Sequence, residues 1–114
     1  MNIPNDDNGD VLRRMFARGD DLSKPRDIDF NHVFDSEHDA LRFCEASKRV
    51  GFDRVNCRYW EEGSAWDVLV KVFMIPRHAE ITETELKLDL LARESDGRAD
   101  GWGCLQPEQK EKAA

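Results

Sequence analysis

The order in which strand-like and helix-like patterns follow one another constrains the fold of this chain more than any other feature of its sequence. In "DIDFNHVF" (27–34), apolar residues alternate with polar ones, which predicts a strand with one buried face. The next segment, "SEHDALRFCEASKRVG" (36–51), predicts a helix. Ser36 is a favoured N-cap residue, and Gly51 readily adopts the left-handed conformation that ends a helix.

Two strands, a helix and a last strand follow this unit. Residues 52–60 and 65–75 are rich in β-branched and aromatic side chains, and "EEGS" between them predicts a hairpin. Residues 79–94 predict an amphipathic helix, and "WGCL" (102–105) predicts the last strand. The predicted core side of this helix carries Ile81, Leu88 and Leu91, and its flank carries Leu86 and Leu90.

A shorter helical pattern precedes the first strand. "DVLRRMFARG" (10–19) predicts a helix with Asp10 as its N-cap and Gly19 at its end. A helix this short must pack on something to be stable, and we expect it to cover the outer face of strand 65–75. Without it the order is βαββαβ, the pattern of the ferredoxin-like fold. We therefore predict an α+β ferredoxin-like sandwich, with two helices on one face of an antiparallel four-stranded sheet of order 4-1-3-2, and an extra N-terminal helix.

The chain length fits a single domain. The 114 residues are enough for one hydrophobic core. The polar residues 1–9 and 106–114 are expected to be a disordered N-terminus and a disordered tail, which leaves 10–105 as one ferredoxin-like domain. No apolar run approaches the ~20 residues needed to cross a membrane, so we expect no membrane contact and a cytoplasmic protein with reduced cysteines.

The charge balance bears on the kind of partner. There are 24 acidic and 17 basic residues, a formal net charge of −7. Such a chain is ill suited to bind a nucleic-acid backbone directly, because that requires clustered Lys and Arg. A basic protein partner suits it better, although the same charge also serves solubility alone.

Catalytic and metal-binding patterns are missing from the sequence. The histidines and cysteines are scattered, with no spacing typical of a zinc site, and we expect no metal, no cofactor and no catalytic residue. His32 is the most unusual of them, and a hydrogen-bonded core histidine is its expected role. Phe73 and Tyr59 would be the stacking residues of an RNA-binding sheet, but the basic context that such a surface needs is missing. The histidines are His32, His38 and His78, and the cysteines are Cys44, Cys57 and Cys104.

The segment "DGWG" (100–103) combines a turn signal with a large aromatic residue. We expect Asp100 and Gly101 to turn the chain into the last strand. Trp102 is expected to be mostly buried, and Gly103 to allow a close approach of the backbone to its neighbour. The motif is thus predicted to be structural.

Four segments of the chain resemble the regulator of ribonuclease activity B family of bacterial protein inhibitors of ribonuclease E. They are "DGWG" (100–103), "ITETELKLDLLARESDG" (81–97), the strand end Met-Ile-Pro (74–76) and "HVFDSEHDALRFCEASKRVGF" (32–52). The resemblance covers roughly residues 10–105. It implies a small, acidic, non-enzymatic protein that binds an RNA-processing ribonuclease and modulates its activity or partner assembly, with inhibition as the expected effect.

The helix 79–95 and the loop after it are either the binding surface for that partner or an ordinary solvated helix face. Seven acidic and three basic residues lie between positions 80 and 100. An immunity or antitoxin protein that neutralises a nuclease toxin has the same physical requirements, and remains the alternative function. The protein is expected to be a monomer or a weak dimer. The candidate binding residues are Glu80, Glu83, Glu94, Asp96 and Asp100.

Overall fold

The computed structural model describes residues 3–104, which form a four-stranded antiparallel sheet and three α-helices. The predicted tail 106–114 and Leu105 lie outside these residues. None of the described helices is long and apolar enough to span a membrane. The elements in chain order are α1 (Asp7–Ala17), β1 (Arg26–Phe34), α2 (Glu37–Arg49), β2 (Val55–Trp60), β3 (Ala65–Met74), α3 (His78–Glu94) and β4 (Gly97–Gly103).

The sheet order is β2-β3-β1-β4, so the predicted ferredoxin-like order is confirmed. Strand β1 is central and pairs antiparallel with β3 and with β4. Phe30 lies opposite Val70 on one side and opposite Trp102 on the other, which is the predicted pairing of the last strand with the first.

Helix α2 begins and ends where its capping residues predict. The Ser36 hydroxyl accepts a hydrogen bond from the backbone N–H of Asp39 at 3.1 Å. The Asp39 carboxylate accepts from Arg42, also at 3.1 Å. Gly51 follows the helix with φ +106°, a conformation that a residue with a side chain rarely adopts.

Helix α1 begins at Asp7, so the predicted N-cap at Asp10 is wrong by several residues. Asp6 is the N-cap, and its carboxylate accepts from the backbone N–H of Gly9 at 2.8 Å. Residues 7–9, expected in the disordered segment, therefore form the first turn of the helix. The predicted end is correct within two residues, since Gly19 has φ +88° just after the helix.

The predicted position of α1 over the outer face of β3 is also wrong. Asn8 donates hydrogen bonds to Thr82 and Glu85 of α3, both at 3.0 Å. Leu12 belongs to the core cluster. Helix α1 therefore packs beside α3 on the helix-bearing side of the sheet, and Phe73 on the other side stays 64% exposed.

The two faces of the sheet differ in chemistry because strand side chains alternate. One face packs against the helices and forms the core. The opposite face, called the open face here, carries ion pairs that join residues of different strands or of the segment leading into β2. Asp27 accepts two hydrogen bonds from Arg54, and Asp29 accepts one from Lys71 at 2.7 Å. The largest fully buried apolar side chains are Phe30, Phe34, Phe43, Leu12, Ile28, Ile81 and Leu88.

Strand β4 starts five residues earlier than predicted, at Gly97, and the chain turns into it at Asp96, which has φ +61°. Asp100 and Gly101 are inside the strand and do not turn the chain into it. The pairing register shifts between Phe30 and His32 of β1, so that β4 has an extra residue there. Gly101, with φ +92°, accommodates this bulge.

The close backbone approach expected at Gly103 occurs at Gly97 instead. A methyl group added at Gly97 would overlap the buried ring of Phe34, whereas one added at Gly103 would meet nothing within 4 Å. The prediction for Gly103 is therefore wrong, and within β4 the packing requires a glycine at position 97.

Candidate functional site

The five predicted binding residues do not form one surface. Glu80, Glu83 and Glu94 lie exposed on α3. Glu80 is in the first turn, with its carboxylate 4.0 Å from Arg77. Asp96 follows the helix, with its side chain 78% exposed and 3.6 Å from the Arg42 guanidinium.

Asp100 is separated from the others by the sheet. Strand alternation places it on the open face, and its charge helps to raise the pKa of Asp67 there, after burial, which is the larger cause. Asp67 also lies 3.6 Å from Arg58, in line with the other ion pairs of this face. Asp100 therefore belongs to a different surface from Glu83 and Glu94.

The outer side of α3 exposes two large apolar residues. Leu86 is 59% exposed and Leu90 is 62% exposed, whereas the leucine between them, Leu88, is fully buried. They lie one turn apart, with Glu83 before them and Glu94 after them at helical spacing. These four residues are called the α3 outer face.

Leu86 and Leu90 were predicted at the flank of the core stripe and were therefore not among the functional candidates. At 100° per residue, both lie about 160° from the buried Leu88, close to the centre of the solvent side. That geometry was available from the sequence and would have identified them.

The carboxylates of Glu83 and Glu94 form no ion pair with any residue between positions 3 and 104. Nearby, Arg93 is bound to Asp89 at 3.0 Å, so its charge is offset. Lys87 is exposed on the same side of α3. The α3 outer face thus combines two free acidic groups with two exposed leucines, and Lys87 partly offsets its negative charge.

The opposite side of α3 is held firmly. Ile81, Leu88 and Ala92 are fully buried. Arg42 of α2 donates to the Glu94 backbone carbonyl at 2.9 Å, near the end of the helix where carbonyl groups lack helical partners. The α3 outer face is therefore presented by a rigid helix.

Trp102 takes part in holding the helices. Its ring is partly buried against the core, and its Nε1–H donates to Asn8 Oδ1 at 2.8 Å. Asn8 in turn donates to α3, so this tryptophan links β4, α1 and α3. These contacts favour a structural role for Trp102, and the structural role of the motif as a whole stays a prediction.

His32 and the cysteines lie apart from the α3 outer face, whereas His38 lines a cavity together with Glu94. His32 is 2% exposed and packs 4.6 Å from the Phe43 ring, and burial lowers its pKa to about 4. Burial also raises the pKa values of Cys44, to about 11, and of Cys57. Thiols with raised pKa values are poor nucleophiles. Residues 3–104 contain no group of three or more potential metal ligands.

A cavity of about 540 Å³ lies between the start of α1 and the start of α3. Its walls are mostly apolar and include Leu12, Leu22 and Ile75. The ionisable His78 at its edge is already bound to Asp6 at 2.9 Å. The cavity therefore offers few polar groups to orient a substrate.

The aromatic residues considered for RNA stacking do not share a surface. Phe73 lies on the open face, whereas Tyr59 packs on the helix-bearing face with its ring 5.2 Å from that of Trp66. The basic residues Arg54 and Lys71 of the open face are already paired with carboxylates of the protein. This arrangement does not favour an RNA-stacking sheet.

Comparison with known proteins identifies a family. A family model described as "Regulator of ribonuclease activity B" matches residues 5–104, which include all the described elements from α1 to β4. No curated protein matches the chain.

Proposed function

Because the chain belongs to the Regulator of ribonuclease activity B family, we propose that it inhibits a ribonuclease by binding to it through the α3 outer face. The observation that carries this proposal is the exposure of Leu86 and Leu90 between two free carboxylates on a firmly held helix. Exposed apolar side chains with a charged rim are typical of protein-binding surfaces.

The charge of the protein suits such a partner. A ribonuclease holds its RNA with basic residues, and a protein of net charge −7 is attracted to that surface. Glu83 and Glu94 would approach the basic groups, while the leucines would exclude water from the contact. Inhibition follows if the bound protein blocks the access of RNA or prevents the ribonuclease from assembling with its own partners.

The protein acts in this proposal as a binding protein without catalytic activity, cofactor or direct contact with RNA. It works as a monomer or weak dimer in the cytoplasm, where RNA is processed. The buried His32 and the raised thiol pKa values of Cys44 and Cys57 agree with a protein that performs no chemistry of its own.

The test is an RNA-cleavage assay with purified ribonuclease E, with binding measured by surface plasmon resonance. We expect the protein to lower the cleavage rate and the association rate to fall steeply with salt. The double variant Leu86→Ser/Leu90→Ser should bind at least ~10-fold more weakly, since burying a leucine contributes about 1.5–3 kcal/mol.

Phe73→Ser is the matched control, because Phe73 is equally exposed but lies on the open face of the sheet. Equal weakening by Phe73→Ser and by the leucine variant would refute the assignment of the α3 outer face. If ribonuclease E is neither bound nor inhibited, the inhibitor proposal fails for that target, and the alternative of an immunity protein is tested with the nuclease encoded beside its gene.

A further inference from the structure

We propose that the α3 outer face receives an amphipathic helix of the partner. This helix has two apolar residues four positions apart. One Lys or Arg stands three positions before the first apolar residue, and another stands four positions after the second. This inference rests on the proposed function and specifies the part of the partner that is recognised. The spacing is read from Glu83, Leu86, Leu90 and Glu94 themselves.

The shape of the surface favours a helix. Glu83 and Glu94 are eleven positions apart on α3, which corresponds to about 16 Å along the helix axis. The two leucines lie between them in a single narrow stripe. A second helix laid alongside presents its own residues with the same rise per residue, so that one stripe matches the other over three turns.

Helix α2 borders one end of the stripe. The start of α2 lies next to the end of α3, because Arg42 contacts both the Glu94 carbonyl and Asp96. Leu41 of α2 is 49% exposed and lines a shallow cavity of about 480 Å³ together with Glu94. Leu41 therefore offers a further exposed apolar contact at the Glu94 end of the stripe.

The charges decide the chemistry of the partner. Glu83 and Glu94 have no ion-pair partner within residues 3–104, and basic residues at the two ends of the incoming helix would provide one for each. Lys87 opposes a basic helix, which gives the inference a variant expected to strengthen binding.

The probe is a C-amidated peptide of fifteen residues that carries fluorescein on its N-terminal amine. It carries Lys at its second and thirteenth positions, Leu at its fifth and ninth, and Ala or Gln elsewhere. A control peptide of the same composition has both lysines on the opposite side of its helix. Binding to the full chain is followed by fluorescence anisotropy, and the contacted residues are mapped by NMR chemical shifts.

The matched peptide should bind roughly tenfold more tightly than the control peptide, because only the matched one brings both lysines to Glu83 and Glu94. Leu86→Ser and Leu90→Ser should each weaken it roughly tenfold. Lys87→Glu should strengthen it, and Phe73→Ser should leave it unchanged. Circular dichroism of each variant verifies that it remains folded.

Equal affinity for the two peptides, shift changes away from the α3 outer face, or no binding at about 1 mM peptide would overturn the inference. The peptide assay contains no ribonuclease, so its outcome is independent of the inhibition assay. If inhibition persists in the Leu86→Ser/Leu90→Ser variant, the helix proposal fails while the inhibitor function stands. If the peptide binds as expected but no ribonuclease is inhibited, the inhibitor function fails alone.

Discussion

The hydrogen bond between Trp102 and Asn8 should contribute measurably to stability, because it joins residues 94 positions apart in the chain. Trp102→Phe keeps an aromatic ring against the core and removes the Nε1–H donor. Asn8→Ala removes the acceptor and the two hydrogen bonds from Asn8 to α3. Together the two variants form a double-mutant cycle for this link.

The expected magnitudes follow from the geometry. A partly buried hydrogen bond of 2.8 Å contributes about 0.5–1.5 kcal/mol net, so we expect a coupling energy of about 1 kcal/mol between the two variants. Trp102→Ala should cost about 2–4 kcal/mol, somewhat below the ~3–5 kcal/mol that removal of a fully buried ring costs, because the Trp102 ring is only partly buried.

Urea unfolding followed by far-ultraviolet circular dichroism measures these free energies without relying on tryptophan fluorescence. Trp60→Phe is the control, since Trp60 is 42% exposed, and it should cost less than Trp102→Phe. A coupling energy below about 0.3 kcal/mol would refute the argument that the Trp102–Asn8 bond holds α1 in place. Hydrogen exchange of the α1 amides should rise in Trp102→Phe if the bond acts as described.

Three other predictions concern the core. Gly97→Ala should destabilise the protein by about 2 kcal/mol or more in urea unfolding, because the new methyl group overlaps the ring of Phe34, and Gly103→Ala should cost much less. Asp20→Ala should cost about 3–5 kcal/mol, since it leaves Arg26 of a buried ion pair without its carboxylate at 2.7 Å. The pKa of His32 is lowered to about 4 in the folded protein, so the unfolded chain binds a proton at this residue first as the pH falls. The free energy of unfolding should therefore be unaffected by His32 above pH 6.5 and should fall by about 3 kcal/mol as the pH approaches 4. An NMR titration of the imidazole should show the low pKa.

The sequence predicted those parts of the fold whose signals are local. Ser36 and Gly51 mark the boundaries of α2, and the alternation in residues 27–34 marks β1, because caps and side-chain periodicity act within a few residues. The strand order then followed from the order of elements, since few topologies accommodate βαββαβ.

The errors arose where distant contacts decide the structure. Residues 97–101 carry two glycines and no hydrophobic alternation, so the start of β4 was not visible in the sequence. It is set by pairing with β1 and by the Phe34 ring above Gly97. The side on which α1 packs is set by Leu12 in the core together with the hydrogen bonds of Asn8, a polar residue that no hydrophobic pattern would select.

The candidate site was predicted only in part, for a related reason. Asp100 was grouped with Glu83 and Glu94 because all three lie in one acidic segment of the sequence. In the structure, strand β4 places Asp100 on the open face. The sheet lies between these acidic residues, and counting charges along the sequence does not show on which face of a sheet each residue lies. The exposed leucines, in contrast, were within reach of helical geometry.

The two sides of α3 perform different tasks, and this allows stability and binding to be tested separately. Ile81, Leu88 and Ala92 provide the buried side, so they already supply the apolar contact that the fold requires. Leu86 and Leu90 weaken the amphipathic character of the helix and add little to the core, since about 60% of each side chain is exposed to water. Changing them to serine should therefore leave the free energy of unfolding within about 0.5 kcal/mol. A loss of partner binding in that variant would then reflect a lost contact and not a lost fold.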